Sequence, residues 1–164
     1  MIILVANIKG DMARTTVSVM LSRAFRQSGK RVILLDATAS GNSVRYVQLM
    51  QEKHNLVTPF EVDQFLNDPF QEGYDATRDC GELRAHIQSL GKEMDDGIIV
   101  IDTNSHHEDT LRTLDTLADH VVVPYDYSPR HSNQRFAPWP LFKPPLQCSH
   151  INVFQLSMQM TKSV

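Results

Sequence analysis

Met1-Ile2-Ile3-Leu4-Val5-Ala6-Asn7 leads without a charge into Ile8-Lys9-Gly10-Asp11-Met12-Ala13-Arg14-Thr15-Thr16. Beyond that turn Val17, Met20, Leu21, Ala24 and Phe25 recur at helical spacing, until Ser28-Gly29-Lys30 supplies a stop. A short unbroken apolar run is the pattern of a strand covered on both faces, and glycine after a periodic stretch ends a helix. Arg31-Val32-Ile33-Leu34-Leu35-Asp36 is then a second buried strand that ends on an acid. Strand, polar turn, helix and strand together take about 35 residues, the size of one βαβ crossover with parallel strands.

The same alternation continues outward. A loop over 37–43 precedes a helix over 44–53, and Leu56-Val57 allows a short strand. Glu61–Leu66 reads as a short helix before Asn67-Asp68-Pro69, and Gly73–Gly81 as loop. Glu82–Met94 carries Leu83, Ile87 and Leu90 on one helical face. Gly97-Ile98-Ile99-Val100-Ile101-Asp102 is a third apolar strand ending on an acid, followed by a helix over 109–117 and a fourth strand at Val121-Val122-Val123-Pro124. The expected fold class is therefore α/β, a mostly parallel sheet flanked by helices.

Composition narrows the function classes. The chain has 164 residues, 41% hydrophobic and 21% charged, which suits one packed domain and excludes wholesale disorder. No apolar stretch approaches the roughly 18 residues of a membrane span, and the N-terminus lacks the basic lead of a secretory signal. Cys80 and Cys148 are not clustered, which fits a reducing compartment better than a disulfide framework or a zinc site. The expected location is the cytoplasm, without a membrane partner. The net charge of −3 conceals an acidic middle: residues 46–127 hold 17 acids against five Lys/Arg, while 1–45 and 128–164 are basic. That is not the single basic face of a general nucleic-acid binder. Residues 137–164 contain no acid and four of the eight prolines, so the domain is expected over 1–136 with a Pro-rich divergent tail over 137–164. A shift this abrupt is that of an appended, truncated or frame-altered end.

A polar turn between a buried strand and a helix aims backbone N–H groups and the positive helix end at one point, which suits phosphate. A hydroxyl at the helix start, Thr15 or Thr16, suits Mg²⁺, and Asp36 and Asp102 end parallel strands at the same sheet edge. His106-His107 before Glu108-Asp109 reads as a solvated helix start rather than a ligand pair. Trp139, Phe142 and Phe136 beside Arg135 and Lys143 suit stacking on bases, a partner groove or packing on the sheet edge.

Taken together these pieces resemble the ParA/MinD family of deviant Walker A P-loop ATPases. Lys9-Gly10-Asp11-Met12-Ala13-Arg14-Thr15-Thr16 resembles its K-G-G-x-G-K-T-T loop, and Gly29–Asp36 its G-K-R-V-L-L-V-D strand. Ala39-Ser40-Gly41-Asn42-Ser43 is similar to its P-Q-G-N-A turn, Ile98–Thr103 to its I-I-I-D-T strand, and 118–129 to its A-D-x-V-L-I-P…S-P segment. The resemblance covers roughly 1–134 in the family's order and implies a P-loop NTPase-like fold, truncated relative to the family. It implies ATP and Mg²⁺ as cofactors, with Gly10, Asp11, Met12, Ala13, Arg14, Thr15 and Thr16 around the nucleotide. Lys9 would be the signature lysine reaching into a partner's site, catalytic together with Asp36; Thr15, Asp36 and Asp102 would serve the metal. A homodimer when nucleotide-bound, a DNA-bound partition adaptor protein and non-specific DNA are the implied partners, and partition or cargo positioning the implied role.

The departures from the family's pattern set a second expectation. The glycine positions of G-x-x-x-x-G-K-[ST] hold Ile8 and Ala13, and the lysine position holds Arg14. Alanine resists a left-handed backbone at a cost of about 1 kcal/mol or more, and arginine is bulkier than lysine. Thr38 stands where the family carries a water-activating Asp. Hydrolysis is therefore expected to be weaker than binding, and the alternative is a pseudo-ATPase interaction module that keeps the fold without turnover.

Overall fold

The inner strands of the sheet are built from residues that are apolar on both faces. The computed structural model describes residues 1–7, 13–54, 59–65, 72–103 and 108–124. In chain order the elements are β1 (Ile2–Val5), α1 (Arg14–Gln27), β2 (Val32–Ala37), α2 (Asn42–His54), β3 (Glu61–Gln64), α3 (Ala76–Met94), β4 (Ile98–Thr103), α4 (Glu108–Asp115) and β5 (His120–Val122). The strands form one parallel sheet in the order β3-β2-β4-β1-β5, as the alternating pattern predicts.

Alternate residues of each strand feed opposite cores. Ile3, Val5, Val32, Leu34, Ile98 and Val100 pack with Val17 of α1 and Val47 of α2. Leu4, Ile33, Leu35, Ile99 and Ile101 pack on the other face, against Leu83, Ile87, Leu90 and Met94 of α3 and Leu111 and Leu114 of α4. The unbroken apolar runs are thus the signature of a sheet covered on both sides. β4 sits between β1 and β2, so the first crossover passes over it and α1 lies against β4. Chain progression reverses between the neighbours β1 and β4, with α1 and α4 on opposite faces. A crevice at the carboxyl ends of such strands is the usual ligand position in open α/β sheets.

Two local expectations are corrected. Glu61–Leu66 is not a helix: Glu61–Gln64 is β3, paired with β2 from Ile33↔Glu61 to Asp36↔Gln64. A stretch this short has no helical face to bury, and the exposed edge of β2 supplies a ladder that local propensity does not reveal. Of the loop expected over 73–81, only 73–75 precede the helix, and 76–81 instead form the start of α3. Its start is fixed by Asp75, whose Oδ1 accepts from the N–H groups of Thr77 and Arg78 at 2.9 and 3.0 Å, while Asp79 Oδ2 accepts from Asp75 N at 2.9 Å. This reciprocal cap outweighs the helix-weakening Gly81. The short strand allowed at Leu56-Val57, His106-His107 and the whole 137–164 segment lie outside the described residues.

Gly81 is exposed inside α3, and a Cβ added there meets nothing within 4 Å. Gly81→Ala should therefore stabilise the protein by about 1 kcal/mol, the helix-propensity difference of an open site. The urea midpoint checks this; an unchanged or lower midpoint would refute it.

Candidate functional site: two strand-end carboxylates under two helix starts

Parity along the strands decides where the two acids go. Asp36 and Asp102 are paired in register across β2 and β4, and each continues the alternation that faces α1 and α2. Both carboxylates are fully buried, yet their surroundings differ sharply.

Asp36 is saturated. Its Oδ1 accepts from Thr38 N at 3.0 Å and Thr38 Oγ1 at 2.6 Å, and its Oδ2 from Ser43 N at 2.7 Å and Val44 N at 3.0 Å. Thr38 Oγ1 in turn accepts from Asn42 N at 3.0 Å. Asp36 thus works as a remote cap, filling donors at the start of α2 that the helix itself leaves open. The turn closes through Gly41 at φ +64°, a left-handed conformation that glycine adopts without strain. A Cβ at that position would meet only the movable end of the Gln64 side chain, so it is the backbone conformation that favours glycine.

Asp102 is only half satisfied. Its Oδ2 accepts from Thr15 Oγ1 and from Ser43 Oγ, both at 2.7 Å, so one oxygen joins the starts of α1 and α2. Its Oδ1 is buried without a hydrogen-bond partner among the described residues. Burial lifts the Asp102 carboxyl above the ordinary carboxylate range; the Ser43 and Thr15 hydroxyls oppose the rise, nearby Asp36 adds to it, and Arg14 offsets it. Of the two candidate threonines it is Thr15 that meets Asp102. In donating its proton there, the Thr15 hydroxyl keeps its lone pairs for a cation.

The start of α1 carries the sequence departures. Ala13, its N-cap, is held at φ 54° and ψ 25° and offers no side-chain acceptor to the first turn, which also contains no acid. The helix's opening N–H groups therefore get no acceptor from their cap, the condition under which an anion is attracted. Arg14 turns back instead, its Nη1 donating to the Asn7 carbonyl at 2.6 Å, while Asn7 Nδ2 donates to the Pro124 carbonyl at 2.6 Å. The start of α1 is thereby tied to Asn7, just after β1, and through it to the segment after β5. Lys9, Gly10, Asp11 and Met12 lie outside the described residues, and Thr16 is half-buried on α1 beside Thr15.

The donor set is all oxygen, two carboxylates and hydroxyls, and no group of three His, Cys, Asp or Glu side chains able to hold a metal occurs among the described residues. Oxygen donors with a partnerless carboxylate oxygen fit Mg²⁺ rather than zinc, with Thr15 and Asp102 the residues to hold it. Sequence reasoning assigned no role to Ser43, although its place seven residues after Asp36, at a helix start, is the signal that marks it. A separate cleft of about 440 Å³ between α3 and α4, lined by Thr77, Cys80, Arg84 and Arg112, lies across the sheet from these residues.

Two outcomes follow from this geometry. Ala13→Gly should stabilise the protein by about 1 kcal/mol, since relief of the left-handed strain exceeds the added entropy of glycine in the unfolded chain. A lower denaturation midpoint would refute that. For Asp102, folding favours the protonated carboxyl, so its contribution is full below the ordinary carboxylate pKa near 4 and is lost as pH rises through the higher folded value. Asp102→Asn does not titrate. In chelator-containing buffer, the urea midpoint of wild type should fall relative to that of Asp102→Asn as pH rises from about 4 toward neutrality. Parallel curves would contradict the burial argument.

The comparisons with known proteins bear on the fold that carries these residues. The family model for the AAA domain matches residues 1–72. A plasmid partition protein from Borrelia burgdorferi superposes with a TM-score of 0.56 at 19% identity, covering 75% of this chain and 64% of that one. The structure of pNOB8 ParA gives 0.59 at 17% identity, covering 79% and 52%. Cobyrinic acid a,c-diamide synthase from Mycobacterium smegmatis, with bound ADP and magnesium, gives 0.55 at 18%, covering 76% and 59%. The chain thus spans between 52% and 64% of the length of these structures. No curated protein matches it in sequence. By the match of its first 72 residues to the AAA domain model and by its five-stranded parallel sheet, the chain has the ParA-like P-loop NTPase fold of these partition proteins.

Proposed function

We propose that the chain is a ParA-like nucleotide-binding ATPase acting in plasmid or chromosome partition or in the positioning of a cargo, with hydrolysis weaker than binding. The observation that carries this reading is Asp102: a buried carboxylate at the sheet's switch point, one oxygen gathering Thr15 and Ser43, the other without a partner among the described residues. A buried acceptor left open costs free energy, and such a group is expected where a ligand completes it. Neighbouring folds agree, since a Borrelia burgdorferi partition protein of this fold is bound to AMPPNP and the Mycobacterium smegmatis synthase to an ATP analogue and magnesium.

In this reading the opening N–H groups of α1 bind phosphate, and residues 10–16 surround the nucleotide. Thr15 and Asp102 hold Mg²⁺, which when bound neutralises phosphate charge. Asp36 holds the Thr38–Asn42 turn in shape beside them. Lys9 reaches into the partner's site in a nucleotide-bound homodimer, and the wider partners are a DNA-bound adaptor protein and non-specific DNA. No helix among the described residues is long and apolar enough to cross a membrane, and the proposed location is the cytoplasm. Thr38 cannot act as a base at neutral pH; its hydroxyl already donates to Asp36, which supports slow turnover.

One contact favours a second reading, a pseudo-ATPase that keeps the fold and its partner surface. Arg14, at the position of the family's lysine, is spent on the Asn7 carbonyl, beside a strained Ala13. Titration of a fluorescent ATP analogue with and without Mg²⁺ decides between them. Saturable, magnesium-dependent binding that weakens at least about tenfold in Thr15→Ala is the expected result. No saturation up to millimolar nucleotide would overturn it. Binding gained only by the double variant Ala13→Gly/Arg14→Lys would establish the pseudo-ATPase instead.

A further inference from the structure

Ser43 is fully buried in the first turn of α2 and makes two short hydrogen bonds in different directions. Its backbone N–H donates to Asp36 Oδ2 and its Oγ donates to Asp102 Oδ2, each at 2.7 Å. The acceptors belong to adjacent strands in register, so a single residue holds both strand-end carboxylates. From Asp36 the connection continues through Thr38 to Asn42 N, in steps of 2.6 and 3.0 Å. On the other side Asp102 Oδ2 also receives Thr15 Oγ1 from α1. Two donors fill that oxygen, which leaves its partner oxygen as the open one.

We propose that Ser43 is a positioning residue, which locks the 38–42 turn and the start of α2 to the metal-facing carboxylate and so aims the open oxygen of Asp102. The inference rests on the function proposed above for its magnesium arm, but the lock itself is a property of the protein alone. A cap needs only the backbone N–H of residue 43, which any non-proline residue supplies; the hydroxyl is what reaches the second strand. Burial makes the link consequential. A carboxylate held by fixed hydroxyls in a water-poor site has few other orientations, and removing one hydroxyl frees it to rotate.

The test uses Ser43→Ala in the full chain, a change that removes one oxygen and preserves the backbone donors. Two measurements separate the lock from the nucleotide reading. Hydrogen exchange followed by NMR at the amides of residues 43 and 44, without nucleotide, should be about tenfold faster in the variant, the effect of losing one charge-assisted hydrogen bond. The ratio of affinities for a fluorescent ATP analogue with and without Mg²⁺ should fall about tenfold, because aim at the metal is lost while the phosphate contacts remain. Unchanged exchange would overturn the lock. Faster exchange with an unchanged magnesium ratio would also overturn the proposal, leaving Ser43 a helix-start residue only. Faster exchange in a protein whose wild type binds no nucleotide would support the lock and defeat the proposed function.

Discussion

The constraint on which the site depends is the burial of Asp102. A carboxylate removed from water loses hydration worth several kcal/mol, and only hydrogen bonds or a cation restore it. Asp36, one strand away, is restored in full by four donors, and it behaves as a structural cap. Asp102 has two donors on one oxygen and none among the described residues on the other. The two acids are paired in register and equally buried, so the difference lies in what the helices above them supply. α2 begins close enough to give Asp36 its backbone N–H groups, whereas Asp102 receives only side-chain hydroxyls. The protein therefore carries one satisfied acid that shapes the backbone and one acid with an oxygen left open among the described residues.

Topology brings this about with few local instructions. Because β4 is inserted between β1 and β2, the helix that follows β1 must pass over β4, which delivers Thr15 above Asp102. α2 leaves the neighbouring strand on the same face and delivers Ser43 to the same oxygen. A slip of one residue in either strand would turn its acid toward α3 and α4, into a core of Leu83, Ile87 and Leu114. Apolar strand residues thus fix the register, and through it the positions of both carboxylates.

Much of this was legible in the sequence because it is periodic or punctuated. β1, β2 and β4 are unbroken apolar runs, two of them with an acid near the end, and the leucine and isoleucine stripe of α3 has helical spacing. What was not legible depends on partners distant in the chain. Glu61-Val62-Asp63-Gln64 has no strand propensity of note and becomes β3 only because β2 offers an open edge. The cap of α3 was present as Asp75 and Asp79 but was masked by the glycines at 73 and 81, which favour a loop reading. Thr15 and Thr16 could not be separated by spacing alone; helix rotation relative to β4 does that. The place of Ser43 at a helix start marked it only as a cap, an ordinary local role, because its second acceptor lies 59 positions away.

The departures in the loop fall on one side of this site. Ala13 and Arg14 alter the end proposed to bind phosphate, one through backbone strain and the other through a side chain turned toward Asn7. Thr15, Ser43, Asp36 and Asp102, on the other side, form an intact hydrogen-bonded unit. The two halves rest on different physics. Phosphate attraction at a helix start comes from backbone N–H groups, which tolerate a changed side chain if the turn can still form. The place of a buried strand-end carboxylate comes from register and burial, which a changed side chain at the helix start does not disturb. Ala13 retains the left-handed conformation that the turn demands and Arg14 retains a positive charge, so the changes strain the phosphate end without reversing its polarity. Arginine on the Asn7 carbonyl must exchange a neutral acceptor for an anionic one to assist binding, and charge-assisted bonds are the stronger kind. The direction of that exchange favours an anion, and its cost falls on the anchoring of the start of α1 to Asn7.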